Sequence, residues 1–135
     1  MCLGLTIING YFFAFLNYKF FHFNSSGNNI DMLPRSEQFF LSVIIAPILE
    51  TFIAQFILFK ILRLKITHQP LLIVLGSLFF ASMHYYNWLY MVVTFFIGLI
   101  INYYYLEIQK ISKYSFLLTV LLHSLYNLYG YLFIS

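Results

Sequence analysis

Three ionisable residues sit in surroundings so apolar that each needs a reason to persist: Glu50, His84 and His123. Glu50 lies within Ala46-Pro47-Ile48-Leu49-Glu50-Thr51-Phe52-Ile53-Ala54-Gln55. His84 closes Phe80-Ala81-Ser82-Met83-His84, and His123 opens His123-Ser124-Leu125-Tyr126-Asn127. At the centre of a membrane helix such a group costs at least about 2.5 to 3.5 kcal/mol by insertion scales. A carboxylate and two imidazoles delivered to one interior cavity from three helices can activate water. Residues four apart share a helical face, so His123 and Asn127 point the same way, as do Thr51 and Gln55. By the same spacing Phe80 can cover one side of His84 and limit water around its ring. Pro47 has no N–H to offer the Val43 carbonyl, which loosens the helix one turn before Glu50.

Each of these groups, taken singly, could instead be polar glue that bonds one helix to the next. Taken together they favour catalysis. Glu50, His84 and His123 could also form a three-ligand zinc site with an open position, although no His-Glu-x-x-His spacing supports it. Of the two, the metal-free glutamate scheme is favoured. Haem ligation by the two histidines is a further alternative. So is a proton or ion carrier built on Glu50, which the lack of an inverted repeat disfavours. Asp31, Glu37, Glu107, His22 and His68 fall in loops or near span ends and need no special role.

The elements that must position these residues follow from composition. Of 135 residues, 62% are hydrophobic and only 8% charged, and the mean hydropathy is +0.87. A soluble domain carries about 25% charged residues, so seven Lys/Arg and four Asp/Glu cannot clothe a water-facing surface. The fold expected is all-α, a polytopic transmembrane bundle of about five spans. These run Leu3 to Phe20, Gln38 to Phe59, Leu71 to Tyr86, Trp88 to Ile108 and Ser115 to Ile134. The first lacks a basic leader and a small-residue cleavage site, so a removable signal peptide is not expected. The stretch from Asn24 to Glu37 holds Ser25, Ser26, Gly27, Asn28, Asn29 and Pro34, a turn-forming loop signal. Asn24-Ser25-Ser26 matches a glycosylation sequon, a triplet that arises often by chance.

Charge orients the bundle. Lys60, Arg63 and Lys65 fall in one loop and Lys110 and Lys113 in another on the same face, against Lys19 and Arg35 opposite. The positive-inside bias then puts the N-terminus in the cytoplasm and the C-terminus outside. Tyr86, Trp88, Tyr103, Tyr104 and Tyr105 read as interfacial anchors. The basic residues form no aromatic-lined patch, so lipid is an expected partner and nucleic acid is not. Cys2 is the lone cysteine, which excludes an intrachain disulfide.

The three chemical segments, in their order and with one span between the second and third, resemble the CPBP family of intramembrane proteases, also called the Abi or CAAX-protease family. The family pattern is Glu-Glu-x-x-x-Arg, then Phe-x-x-x-His, then His-x-x-x-Asn or Asp. Here the counterparts are Glu50-Thr51-x-x-x-Gln55, Phe80-x-x-x-His84 and His123-x-x-x-Asn127. The resemblance implies a four-helix core within 38–135, preceded by a first helix and exposed loop in 1–37. It implies an intramembrane endopeptidase acting on a peptide or membrane-protein substrate in a membrane such as the bacterial inner membrane. Glu50 would be the general base and His84 would position the water. His123 and Asn127 would stabilise the oxyanion, with Thr51, Gln55 and Phe80 in support. Thr51 and Gln55 replace the family's Glu and Arg, a paired change that removes one charge of each sign and keeps the site neutral. A non-enzymatic immunity or scaffold protein of the same fold is the rival that this change favours.

Overall fold

A computed structural model describes residues 1–22 and 29–133. The Asn24-Ser25-Ser26 triplet lies outside the described residues. Among those residues the chain forms five helices and no strand: α1 Cys2–Leu16, α2 Arg35–Leu62, α3 Gln69–Ser82, α4 Trp88–Ile108 and α5 Ser115–Phe133. The all-α bundle expected from composition is the observed fold. Three of the helices, α2, α4 and α5, are long and apolar enough to cross a membrane. The third predicted span is shorter than expected. α3 has 14 residues, about 21 Å at 1.5 Å per residue against the roughly 30 Å of a hydrocarbon core.

Local chemistry accounts for the helix ends. Pro34, extended at ψ 146, precedes α2, and Glu37 lies in the first turn, where the helix dipole favours negative charge. Pro70 occupies the first turn of α3, where its missing N–H is not needed. The Asn87 side chain caps α4, its Oδ1 accepting from Leu89 N at 2.9 Å and Tyr90 N at 3.2 Å. Between Ser82 and Trp88 the backbone turns over five residues, and His84 stands within that turn.

α2 is not a uniform helix. Two stretches, Phe40–Ile45 and Phe52–Ile57, open to five-residue hydrogen bonding and bracket Glu50. Such wide turns re-aim side chains and recur at functional sites. The N–H of Ala46 reaches back to the Leu41 carbonyl. In that register the Ser42 carbonyl would accept from the N–H of residue 47, but Pro47 has none. The carbonyl that Pro47 frees is therefore Ser42, and not Val43 as regular helical spacing predicts.

α3 and α4 make the closest pairing. A Cβ on Gly98 would stand 3.1 Å from Ser77 Cα, and one on Gly76 would run into the Phe59 ring and the Asn102 amide. These two glycines let the backbones approach as small residues do in membrane bundles. Phe80, Leu89, Val93, Ile97 and Ile101 fill the space between α3 and α4 near the site, joined by Ala54 of α2 and Phe13 of α1. Phe59, Leu72, Tyr105 and Leu106 fill the other end. α1 lies against α4 and α5. There Asn9 Nδ2 donates to the Val93 carbonyl at 3.4 Å, and the Tyr11 and Tyr129 hydroxyls meet at 2.6 Å.

Candidate active site

α2, α3 and α5 bring the three ionisable groups together. Glu50 Oε2 is 3.5 Å from His123 Nε2, and Glu50 Oε1 is 3.9 Å from His84 Nε2. Both separations exceed a direct hydrogen bond. The three groups face a shared cavity of about 90 Å³, space for a few waters. Asn127 lines the same cavity. Glu50, His84, His123 and Asn127 thus meet at one cavity, with the carboxylate between the two imidazoles.

Each ring is held from behind. His84 Nδ1 lies 3.0 Å from the Phe80 carbonyl, and because a carbonyl only accepts, that nitrogen carries the proton. In the neutral ring Nε2 is left with a lone pair facing the carboxylate. Phe80, almost wholly buried, packs on both imidazoles, with ring centroids 5.1 Å from His84 and 5.6 Å from His123. Its role is wider than covering His84, since one side chain fixes the separation of the two rings. Tyr90 meets the His84 ring edge-on at 5.3 Å. His123 Nδ1 is buried with no hydrogen-bond partner among the described residues.

Asn127 is partly committed elsewhere. Its Nδ2 donates to the Ser42 carbonyl at 2.8 Å, the group that the wide turn and Pro47 leave open. The family-pattern asparagine therefore clamps α5 to α2 about two turns before Glu50. Neither Ser42 nor this clamp is singled out by the sequence reading, because it depends on which carbonyl the local register frees.

Thr51 and Gln55 are both fully buried on α2. They do not bond to each other. Gln55 Nε2 donates to Asn102 Oδ1 at 2.9 Å, and Asn102 Nδ2 donates to Ser77 Oγ at 3.1 Å. Thr51 Oγ1 and Gln55 Oε1 have no partner among the described residues. Asn102 is a buried residue that the sequence reading passes over. The signal was available, since a fully polar side chain in the middle of a 21-residue apolar helix invites the same question as Glu50.

Among the described residues no three His, Cys, Asp or Glu side chains stand close enough together to hold a metal ion. The zinc arrangement thus gains no support from the geometry. A haem does not fit either, because the cavity is well below the roughly 300 Å³ at the lower end of ligand pockets. A larger cavity of about 420 Å³ lies at the opposite end of the bundle, between Arg63 and Lys110 and remote from the three groups in sequence and fold.

A family model described as type II CAAX prenyl endopeptidase Rce1-like matches residues 36–129, well over half of the chain. That stretch contains Glu50, His84, His123 and Asn127. Neither the curated proteins nor the solved structures give a match.

Proposed function

We propose, from the premise that this chain belongs to the Rce1-like family of type II CAAX prenyl endopeptidases, that it is an intramembrane endopeptidase which hydrolyses peptide bonds with a glutamate-activated water. The observation that carries this reading is the placement of Glu50 within 4 Å of both His84 Nε2 and His123 Nε2 beside a water-sized cavity. Glu50 removes a proton from a cavity water as the oxygen attacks the substrate carbonyl. His84, its proton fixed on Nδ1 by the Phe80 carbonyl, accepts a hydrogen bond from that water through Nε2 and orients it. His123 and the second N–H of Asn127 lie toward the carbonyl oxygen, where a fixed donor in a water-poor site is most effective. Glu50 then returns the proton to the leaving amine.

The protein is an integral membrane protein, and its substrate is a peptide or a membrane protein. The basic residues Lys60, Arg63, Lys65, Lys110 and Lys113 lie at the loops joining α2 to α3 and α4 to α5. By the positive-inside bias those loops and the N-terminus face the cytoplasm of a bacterial inner membrane, with the C-terminus outside. Thr51 and Gln55 in place of a charged pair suit their full burial, since an unpaired charge there is costly.

The test is cleavage of a membrane-peptide library by the purified protein in liposomes. Cleavage by wild type that is lost in Glu50→Gln supports the reading. A folded wild-type protein that binds peptides and cuts none of them makes the chain a scaffold or immunity protein of the same fold. Full activity after rigorous metal removal upholds the glutamate scheme, whereas loss restored only by zinc overturns it.

A further inference from the structure

Of the family-pattern donors on this cavity, Asn127 has a single N–H left to offer an oxyanion. Asn127 spends one of its two amide protons on the Ser42 carbonyl. Two hydroxyls on the cavity wall are also spent on helix carbonyls. Ser42 Oγ donates to the Gln38 carbonyl, and Thr94 Oγ1 donates to the Tyr90 carbonyl at 2.9 Å. Tyr86 and Tyr90 stack on each other and pack at an angle against the His84 ring.

Tyr126 differs from these. It lines the same cavity, one helical turn beyond His123 on α5, and its ring packs against the core formed around Phe80 and Ile97. Its hydroxyl has no hydrogen-bond partner among the described residues. A phenol set in an apolar wall beside a cavity can find its hydrogen-bond partner in that cavity. The ring is rigid and anchored, so the donor needs little reorganisation when charge develops.

We infer that Tyr126 is a further catalytic residue, whose O–H donates to the carbonyl oxygen of the scissile peptide as that oxygen becomes negative. The inference rests on the endopeptidase reading above. Water oxygen bonds to the carbonyl carbon, its proton passes to Glu50, and the π pair of C=O moves onto oxygen. Tyr126 keeps its proton and shares it with that oxyanion. Collapse restores C=O and breaks the C–N bond, and the amine takes the proton from Glu50. The products are a carboxylic acid and an amine.

Tyr126→Phe removes the donor and keeps the ring. Loss of one oxyanion-hole donor lowers kcat by about 100- to 1,000-fold, so a fall of that order is expected with KM and thermal unfolding in detergent unchanged. A peptide phosphonate, whose tetrahedral anion mimics the oxyanion, should weaken in step with kcat/KM, while an uncleavable ground-state peptide binds as before. Wild-type kcat in Tyr126→Phe overturns the inference and leaves the endopeptidase reading intact. Should that variant fail to fold, 3-fluorotyrosine at position 126 preserves shape and alters donor acidity. An unchanged rate there also overturns it. If wild type neither cleaves peptide nor binds phosphonate, both readings fall together, a result distinct from either of the others.

Discussion

Two polar clusters lie inside this bundle, and they are satisfied in opposite ways. Around Gln55, Asn102 and Ser77 the side chains form a chain of bonds, Gln55 to Asn102, Asn102 to Ser77, and Ser77 to the Ile73 carbonyl at 2.6 Å, with Gln55 Oε1 left without a partner among the described residues. All three are fully buried. Around Glu50 the groups approach without closing, at 3.5 and 3.9 Å, and border a cavity. In a membrane interior an unbonded polar group is costly, so a cluster that stays open must gain its partners from a ligand or water. The first cluster joins α2, α3 and α4 and fixes their spacing. The second borders a cavity and, on the proposed function, is the one that reacts.

The largest effect that would sharpen this contrast is on chemistry alone. Glu50→Gln should lower peptide cleavage by at least about 100-fold, the lower end for general-base catalysis, with unfolding in detergent unchanged. A large loss of stability in that variant would mean that the open cluster also holds the fold, and the contrast would break.

The mirror experiment acts on the closed cluster. Asn102→Ala leaves the Gln55 amide without its partner, while Ser77 keeps its bond to the Ile73 carbonyl, and a buried group left unsatisfied costs about 1 to 3 kcal/mol. A loss of about 2 kcal/mol is expected, with kcat per folded molecule close to wild type. Thermal unfolding and active-site titration with a phosphonate together decide it. Unchanged stability would show that the hydrogen bonds seen here contribute nothing.

A smaller effect tests the border between the two clusters, where Thr51 is adjacent to Glu50 and Gln55 bonds to Asn102. Thr51→Glu and Gln55→Arg should each destabilise the bundle, and the double change should be less damaging than their sum. The coupling expected of contacting residues is about 0.5 to 3 kcal/mol. Because Gln55→Arg also forfeits the Asn102 bond, the coupling should fall in the lower part of that range. Strict additivity in a double-mutant cycle would mean that the two positions do not interact.

The smallest effect is at the end of the network. Ser77→Ala should cost about 0.6 kcal/mol, the mean for an interhelical polar contact in a membrane protein, read as a shift in unfolding midpoint. Gly98→Ala, by contrast, should exceed it, because the added carbon would press on Ser77 backbone at 3.1 Å.

The sequence by itself determined the class of fold and the core of the candidate site. Both follow from one-body costs that need no partner to evaluate: few charges over a long apolar chain imply lipid as solvent, and a charged residue inside an apolar run is expensive wherever it sits. Glu50, His84 and His123 were legible for that reason, and helical spacing added Asn127 and Phe80. What the tertiary structure decided depends on pairs and on local register. The partner of Gln55 is Asn102, 47 positions away, which no periodicity within α2 can specify. The widened turns of α2 shift the carbonyl freed by Pro47 from Val43 to Ser42 and so give Asn127 its clamp. The shortness of α3 and the turn after it set His84 against the carboxylate. A hydrogen bond is a property of two groups and the distance between them, and that distance exists only once the helices have packed.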